Sequence, residues 1–395
     1  MKHVLVLSTL YPNAVNPRFG TFVARSVEAL AKRGDWRVTL VNPIGLPPLA
    51  LGRYRPLADL PVENVEGGIT VHRPRFTLIP RIGARRNAAA IARAVLPLAK
   101  RLHAEAPFDV VDAQFFFPDG PAAAIIAREL GLPLSIKARG SDISFWGDQD
   151  FARTQMLEAA RAATGLLAVS RDLAGQMAAL GMDAGKITVH YTGLDRDRFR
   201  PLEHTQLRRQ LSEEFGFAMP GNAPLLACVG ALIERKGQGI AIAALKDIEA
   251  ARLVLIGKGE DEARLRALAA SEGVAERVCF AGSLDHDVMP LILSAADVMV
   301  LPTVSEGLAN AWVEALACGT PVVTTDVGGA RELITSDTAG RLLAERTPEA
   351  VATAVNAILN APPPREAVAA LTEAFSWEAN AAALAAHYER MVGEA

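Results

Sequence analysis

Short apolar runs rich in β-branched residues alternate with helical patterns from one end of the chain to the other. In the first half the runs are His3–Ser8, Trp36–Val41, Ile69–Arg73, Val110–Ala113, Leu134–Lys137, Leu166–Val169 and Ile187–His190. In the second half they are Leu225–Val229, Arg252–Ile256, Val278–Ala281, Val298–Leu301 and Pro321–Thr324. Runs of about four to six apolar residues, separated by helices of about ten or more, predict parallel strands covered on both faces. The commonest reading of that alternation is a doubly wound α/β fold.

The rhythm pauses between Asp195 and Pro224. The stretch RDRFRPLEHTQLRRQLSEEFGFAMPGNAP is charged, ends in a Pro/Gly/Asn cluster and holds only a helical piece around Gln206–Glu214. A domain boundary placed here gives one Rossmann-like domain over 1–200 and a second over 201–375, facing each other across a cleft. The last segment, FSWEANAAALAAHYERM, predicts an amphipathic helix with Trp377 and Tyr388 as its large anchors. It is assigned to 376–395 and expected to pack on the first domain.

Length and composition narrow the class. At roughly 100–200 residues per domain, 395 residues suggest two or three domains. Such domains bury full cores without metal or disulfide staples. Cys228, Cys279 and Cys318 are odd in number and too dispersed for a zinc pattern, which points to a reducing, cytoplasmic setting. The opening apolar run, Val4 to Leu7, is too short for a signal sequence or a membrane span. Secreted, disordered and integral-membrane classes are therefore not expected. The formal charge of −3 hides an asymmetry: residues 1–200 carry 26 Lys and Arg against 18 Asp and Glu, and the remainder 15 against 26. A basic half (+8) joined to an acidic half (−11) suggests that the halves meet different partners.

The most informative stretch is PTVSEGLANAWVEALACGTPVVTT, Pro302–Thr325. A strand ends at Pro302, a polar loop runs to Glu306-Gly307, and a helix from about Leu308 to Cys318 stops at Gly319. Backbone amides at a helix N-terminus beyond a parallel strand are where open α/β sheets favour a diphosphate. Glu314, two turns beyond Glu306, would be repelled by phosphate. Its carboxylate suits the 2′,3′-diol of a ribose instead.

This stretch resembles the Glu-x7-Glu signature of retaining glycosyltransferases of family 4, which have the GT-B fold. EG at 306–307, EALACGTPVV at 314–323 and TDVGGAREL at 325–333 agree with it in order. VGALIERKG (229–237), LVLIGKGED (253–261), FAGSLD (280–285), AVSRDLAGQM (168–177) and TGLDRDRF (192–199) fall in register elsewhere. The amino end, YPNAVNPRFGTFVARSVEALAKRG, is similar to members that build cell-surface polysaccharides. The resemblance implies that Glu314 holds the donor ribose, that Glu306 lies by the transferred sugar, and that amides from Gly307 through Leu308, Ala309 and Asn310 hold the diphosphate. It implies a nucleoside diphosphate sugar as co-substrate, UDP most commonly, no metal and no other cofactor.

Three further pieces carry candidate roles. Gly230 starts a turn bearing Arg235 and Lys236, cations suited to neutralising the leaving phosphates. Family members usually carry Arg after that glycine; Ala231 stands here, and Arg235 is the candidate to supply the missing charge. In the loop Pro12–Gly20, Asn16 is placed on the acceptor side. Amides at Gly20 and Thr21 are expected near donor phosphate and acceptor. In KARGSD, 137–142, Arg139 stands where the family commonly has His. A guanidinium accepts no proton near neutral pH, so Arg139 is read as stabilising negative charge or positioning an acidic group. Asp142 either caps the following turn or binds an acceptor hydroxyl.

Other signals are weaker. Asp195-Arg196-Asp197, Asp285-His286-Asp287 and Asp148-Gln149-Asp150 match a metal-binding Asp-x-Asp only by two letters, and the seven histidines show no ligand spacing. GKGEDE at 257–262 lacks the third glycine of a dinucleotide fingerprint. Arg73–Arg101 holds eight basic residues and no acid, and includes a basic amphipathic helix expected to break at Pro97. Such a face suits either solvent or an anionic membrane bearing a polyprenyl-linked acceptor, with attachment no more than peripheral on the cytoplasmic side. The expected activity is transfer of a hexosyl-type sugar to a glycan or lipid-linked hydroxyl in cell-surface polysaccharide synthesis, with no nucleic-acid partner. Two alternatives are a nucleotide-sugar epimerase of GT-B fold and a non-catalytic nucleotide-sugar-binding relative.

Overall fold

The computed structural model describes residues 1–79, 83–203, 207–209, 213 and 223–393. The chain forms two units, 1–193 together with 377–395, and 194–376. The division falls a few residues before the expected 200/201, and a parallel bridge between Leu194 and Ser376 marks where the chain leaves and returns. The helical piece expected around Gln206–Glu214 lies largely outside the described residues.

The first unit is built on β1 (Lys2–Leu7), β2 (Trp36–Val41), β3 (Ile44–Leu46), β4 (Glu63–Glu66), β5 (Ile69–His72) and β6 (Arg75–Thr77). It continues with β7 (Val110–Ala113), β8 (Leu134–Ala138), β9 (Gly165–Ala168) and β10 (Ile187–Val189). Eight of these make one sheet in the order β10-β9-β8-β7-β1-β2-β5-β4, parallel except for β4, while β3 and β6 pair separately. All seven predicted runs of this half are strands, because a run buried on both faces shows itself as continuous apolar sequence. β4 had no such signature: Glu63, Asn64 and Val65 are exposed on an edge.

The second unit holds β11 (Leu225–Val229), β12 (Arg252–Ile256), β13 (Val278–Gly282), β14 (Val298–Leu301), β15 (Val322–Thr325) and β16 (Gly340–Leu343). They form an all-parallel sheet in the order β13-β12-β11-β14-β15-β16. In both sheets the strand order reverses direction once, between β1 and β7 and between β11 and β14. Adjacent loops diverge at such a switch point and leave a crevice at the carboxyl ends of the strands.

Two helices of the first unit shape its surface and its core. The basic helix does not break at Pro97 but runs unbroken over Ala84–Glu105. Pro97 sits on its exposed face and forfeits one backbone bond, while buried Ile91, Ala92, Val95 and Ala99 hold the helix on either side. The C-terminal helix, Trp377–Gly393, packs in the first unit: Leu384, Ala385, Tyr388 and Met391 join the core of Val4, Val27, Leu30 and Trp36. Tyr388 meets the Trp36 ring edge-on at 5.2 Å.

A polar seam lies under that helix. Lys137 Nζ is 2.6 Å from His190 Nδ1, and His190 Nε2 is 2.9 Å from the Asn380 carbonyl. The lysine donates, so His190 accepts at Nδ1 and its Nε2–H donates to the carbonyl. Burial pushes both Lys137 and His190 well below their ordinary values, away from the charged forms.

Candidate functional site

The motif residues of the second unit gather at its switch point. β11 and β14 are neighbours, with Leu226 opposite Val298 and Ala227 opposite Met299. The loops after these two strands therefore emerge side by side. The Val304 N–H donates to the Arg235 carbonyl at 2.9 Å. Gly230 opens the first loop, Glu234–Lys236 form one 3-10 turn, and Gln238–Ala244 form the next helix. Ala231 is exposed and its carbonyl accepts from Gln238 Nε2 at 2.8 Å.

The cations converge on Glu306. Lys236 Nζ donates to Glu306 Oε1, Thr303 Oγ1 donates to it at 3.0 Å, and Arg235 Nη1 stands 3.7 Å away while also donating to the Ser305 carbonyl. Arg235 thus stands beside Lys236 at Glu306. Only 11 % of the Glu306 side chain and 15 % of Lys236 is exposed, so this ion pair is partly desolvated and far less screened than a surface pair.

Just beyond it the helix Asn310–Ala317 begins, shorter at both ends than the predicted 308–318. Its N-cap, Ala309, is extended and no side chain caps the first turn, leaving the leading amides to an external acceptor. The GG of the downstream motif holds this loop in place. Gly329 N–H donates to the Gly307 carbonyl at 2.7 Å, and a Cβ on Gly328, at φ +55°, would lie 2.1 Å from the Glu306 carbonyl oxygen. No residue but glycine fits there.

Glu314 is on that helix, with 13 % of its side chain exposed. Its Oε1 is 3.0 Å from His286 Nε2, a contact that sequence reasoning missed. His286 belongs to the weak Asp285-His286-Asp287 match, in which Asp287 pairs with Arg198. Twenty-eight residues separate the histidine from the glutamate, and no local pattern links them.

In the first unit the predicted residues also lie on loops beside the switch point, after β1 and β8. Gly20 N-caps the helix Thr21–Lys32 in the left-handed conformation, and a Cβ there would lie 2.4 Å from the Leu10 backbone. Asn16 is exposed, its backbone spent on a turn with Asn13. Arg139 stacks over Phe22 in the first turn of that helix, 4.8 Å from the ring centre, and donates through Nε to the Gln114 carbonyl and through Nη2 to Gln114 Oε1. Burial lowers the Arg139 guanidinium to about 10, still charged at neutrality. Asp142 is fully buried, and its carboxylate accepts from the backbone N–H groups of Phe116, Arg139 and Gly140. Of its two readings, the geometry gives loop capping rather than the acceptor-side contact.

The model for glycosyl transferases group 1 matches residues 211–374, and the model for glycosyltransferase family 4 matches residues 19–198. The chain belongs to glycosyltransferase family 4, with the GT-B fold. Relatives of this glycosyltransferase include a Bacillus subtilis protein named TuaC for teichuronic acid biosynthesis, 29 % identical over 84 % of this chain and 82 % of its own. The 2-deoxystreptamine glucosyltransferase of Streptomyces kanamyceticus is 28 % identical over 94 % of this chain and 98 % of its own. Among solved structures, the sucrose-phosphate synthase of Thermosynechococcus elongatus superposes with a TM-score of 0.79 at 20 % identity, covering all of both chains. Anabaena Alr3699/HepE in complex with UDP gives 0.75 at 20 % identity, over 99 % of this chain and 100 % of that one. As a member of the family the protein is a sugar-transferring enzyme, and no described helix is long and apolar enough to cross a membrane.

Proposed function

We propose that the enzyme moves a hexosyl-type sugar from a nucleoside diphosphate sugar to a hydroxyl of a glycan or lipid-linked acceptor of cell-surface polysaccharide synthesis. The anomeric configuration is retained, without a metal or other cofactor. The observation that carries this reading is the juxtaposition at the β11–β14 switch point: two cations on Glu306, an uncapped helix N-terminus, and Glu314 about a turn further along.

The amides at Leu308, Ala309 and Asn310 hold the diphosphate, with Gly307 leaving room for its approach. Glu314 accepts from the ribose hydroxyls. As the acceptor oxygen bonds to the anomeric carbon, the sugar–phosphate bond breaks. Lys236 and Arg235, drawn from Glu306 toward the phosphates, stabilise the charge left on the diphosphate, which takes the acceptor's proton. Glu306 faces the hydroxyls of the transferred sugar. The first unit serves the acceptor through Asn16, the amides at Gly20–Thr21 and the fixed charge of Arg139. UDP is the proposed nucleotide, in keeping with HepE structures holding UDP and UDP-glucose. A Mycolicibacterium smegmatis relative named for GDP-mannose makes GDP the competitor to test.

Calorimetric titration of UDP and GDP into wild type and Glu314→Ala tests the assignment. The variant should bind the preferred nucleotide about 1.5–3 kcal/mol more weakly, the scale of hydrogen bonds to a charged group. Undiminished affinity would remove Glu314 from the site. Slow release of nucleoside diphosphate from the sugar donor separates the transferase from a binder, and its interconversion without release would indicate an epimerase.

A further inference from the structure

The contact between His286 and Glu314 has no part in the transfer chemistry, yet it engages the carboxylate assigned to the ribose diol. The imidazole stands on the segment after β13, more than half exposed, with its ring 5.0 Å from Phe199. The neighbouring Asp287 is paired with Arg198, so this segment is tied at two points to residues 198–199. The Glu314 side chain makes no further hydrogen bond or ion pair among the described residues.

We propose that His286 is a positioning residue for the donor site: it holds Glu314 in its binding orientation for the ribose. This role rests on the assignment of Glu314 to the diol. Asp287 is engaged by Arg198 and the ring lies by Phe199, so the loop that carries the imidazole is held at two points, and Glu314 is the carboxylate hydrogen-bonded to it. A carboxylate has about four acceptor sites, so the ring can keep the side chain of Glu314 oriented while hydroxyls bind.

The test is calorimetric binding of UDP and of GDP to the full-length enzyme at one pH, for wild type, His286→Ala, His286→Gln and Glu314→Ala, with His286→Ala repeated in the Glu314→Ala background. His286→Ala should raise Kd about three- to tenfold, the scale of one hydrogen bond, and His286→Gln, which keeps an N–H donor, should recover most of the loss. In the Glu314→Ala background His286→Ala should change nothing further. Wild-type affinity in His286→Ala, or an equal loss in both backgrounds, would overturn the role of His286 while leaving Glu314 in place. If Glu314→Ala binds as tightly as wild type, or wild type binds neither nucleotide, the donor-site reading fails and the role of His286 with it. His286 is exposed, so loss of fold is not expected; an unchanged melting temperature for His286→Ala confirms that the comparison is fair.

Discussion

Lys236 sits with its ammonium on Glu306 and its stem against Gly230, where an added Cβ would lie 3.6 Å from the lysine side chain. In the proposed mechanism, removing it takes one cation from the leaving phosphates; in the structure it leaves Glu306, nearly buried, with Thr303 and the more distant Arg235. Lys236→Ala should lower kcat about 10²–10³-fold, the usual loss for one electrostatic group, measured as steady-state transfer once a donor is found. Gly328→Ala acts differently. The methyl group meets the Glu306 carbonyl in a left-handed backbone, so the loop of 304–310 must shift. We expect a lower melting temperature together with weaker nucleotide binding, read by thermal shift with and without nucleotide; stabilisation by nucleotide equal to wild type would show the loop undisturbed. The placement of Glu306, Gly307 and Glu314 on one loop and helix was legible in the sequence, because there spacing along the chain is spacing in space. His286 was not, since its contact is made by two strands' worth of folding.

At the scale of elements, the C-terminal helix is where burial and protonation meet. His387 is buried with Nε2 3.3 Å from Ser135 Oγ, and burial lowers the imidazole to about 4. An imidazole depressed in the folded state contributes stability that is fully present above its unfolded value, about 6.5, and is lost as pH falls toward 4. By pH 5 that loss is about 2 kcal/mol. The buried carboxyls act in the opposite sense: Asp119, raised to about 7, stabilises the protonated form and loses its contribution as pH rises through that value. Bulk acid sensitivity therefore mixes both signs, and the difference between proteins isolates the helix. His387→Gln should be less stable at pH 7.5 but lose less melting temperature than wild type between pH 7.5 and 5; parallel losses would show that this imidazole does not titrate against folding. The existence and type of nearly every strand were legible, as was this helix with its Tyr388 anchor. The edge strands β4 and β16 and the three-residue β3 and β6 were not, because exposure, interruption by Gly340 and Arg341, and brevity leave no apolar period.

For the molecule as a whole, the positive excess of residues 1–200 is not one basic face. Arg73 is buried against Glu66 at 2.7 Å, Arg75 donates to backbone carbonyls, and Lys100 and Arg101 pair with Glu129 and Glu105. What remains exposed on the helix Ala84–Glu105 is Arg85, Arg86 and Arg93, with Arg86 and Arg93 two turns apart. If this face meets an anionic membrane, the protein should float with vesicles containing phosphatidylglycerol at low salt and not with neutral ones. Both high salt and the Arg86→Glu/Arg93→Glu pair should abolish it. Flotation unchanged by the pair would assign the face to solvent.

By itself the sequence determined the two α/β units, the family and the loop–helix stretch of 302–325, because strand burial, helix ends and neighbouring functional groups all leave a period or a spacing in the chain. Tertiary structure alone decided that Arg235 reaches Glu306, that Asp142 serves its own loop, that half of the basic stretch is already paired, and that His286 sits on Glu314. The Arg235–Glu306, His286–Glu314 and Lys100–Glu129 contacts join residues far apart in sequence. Their geometry depends on strand order and packing, which no local window contains.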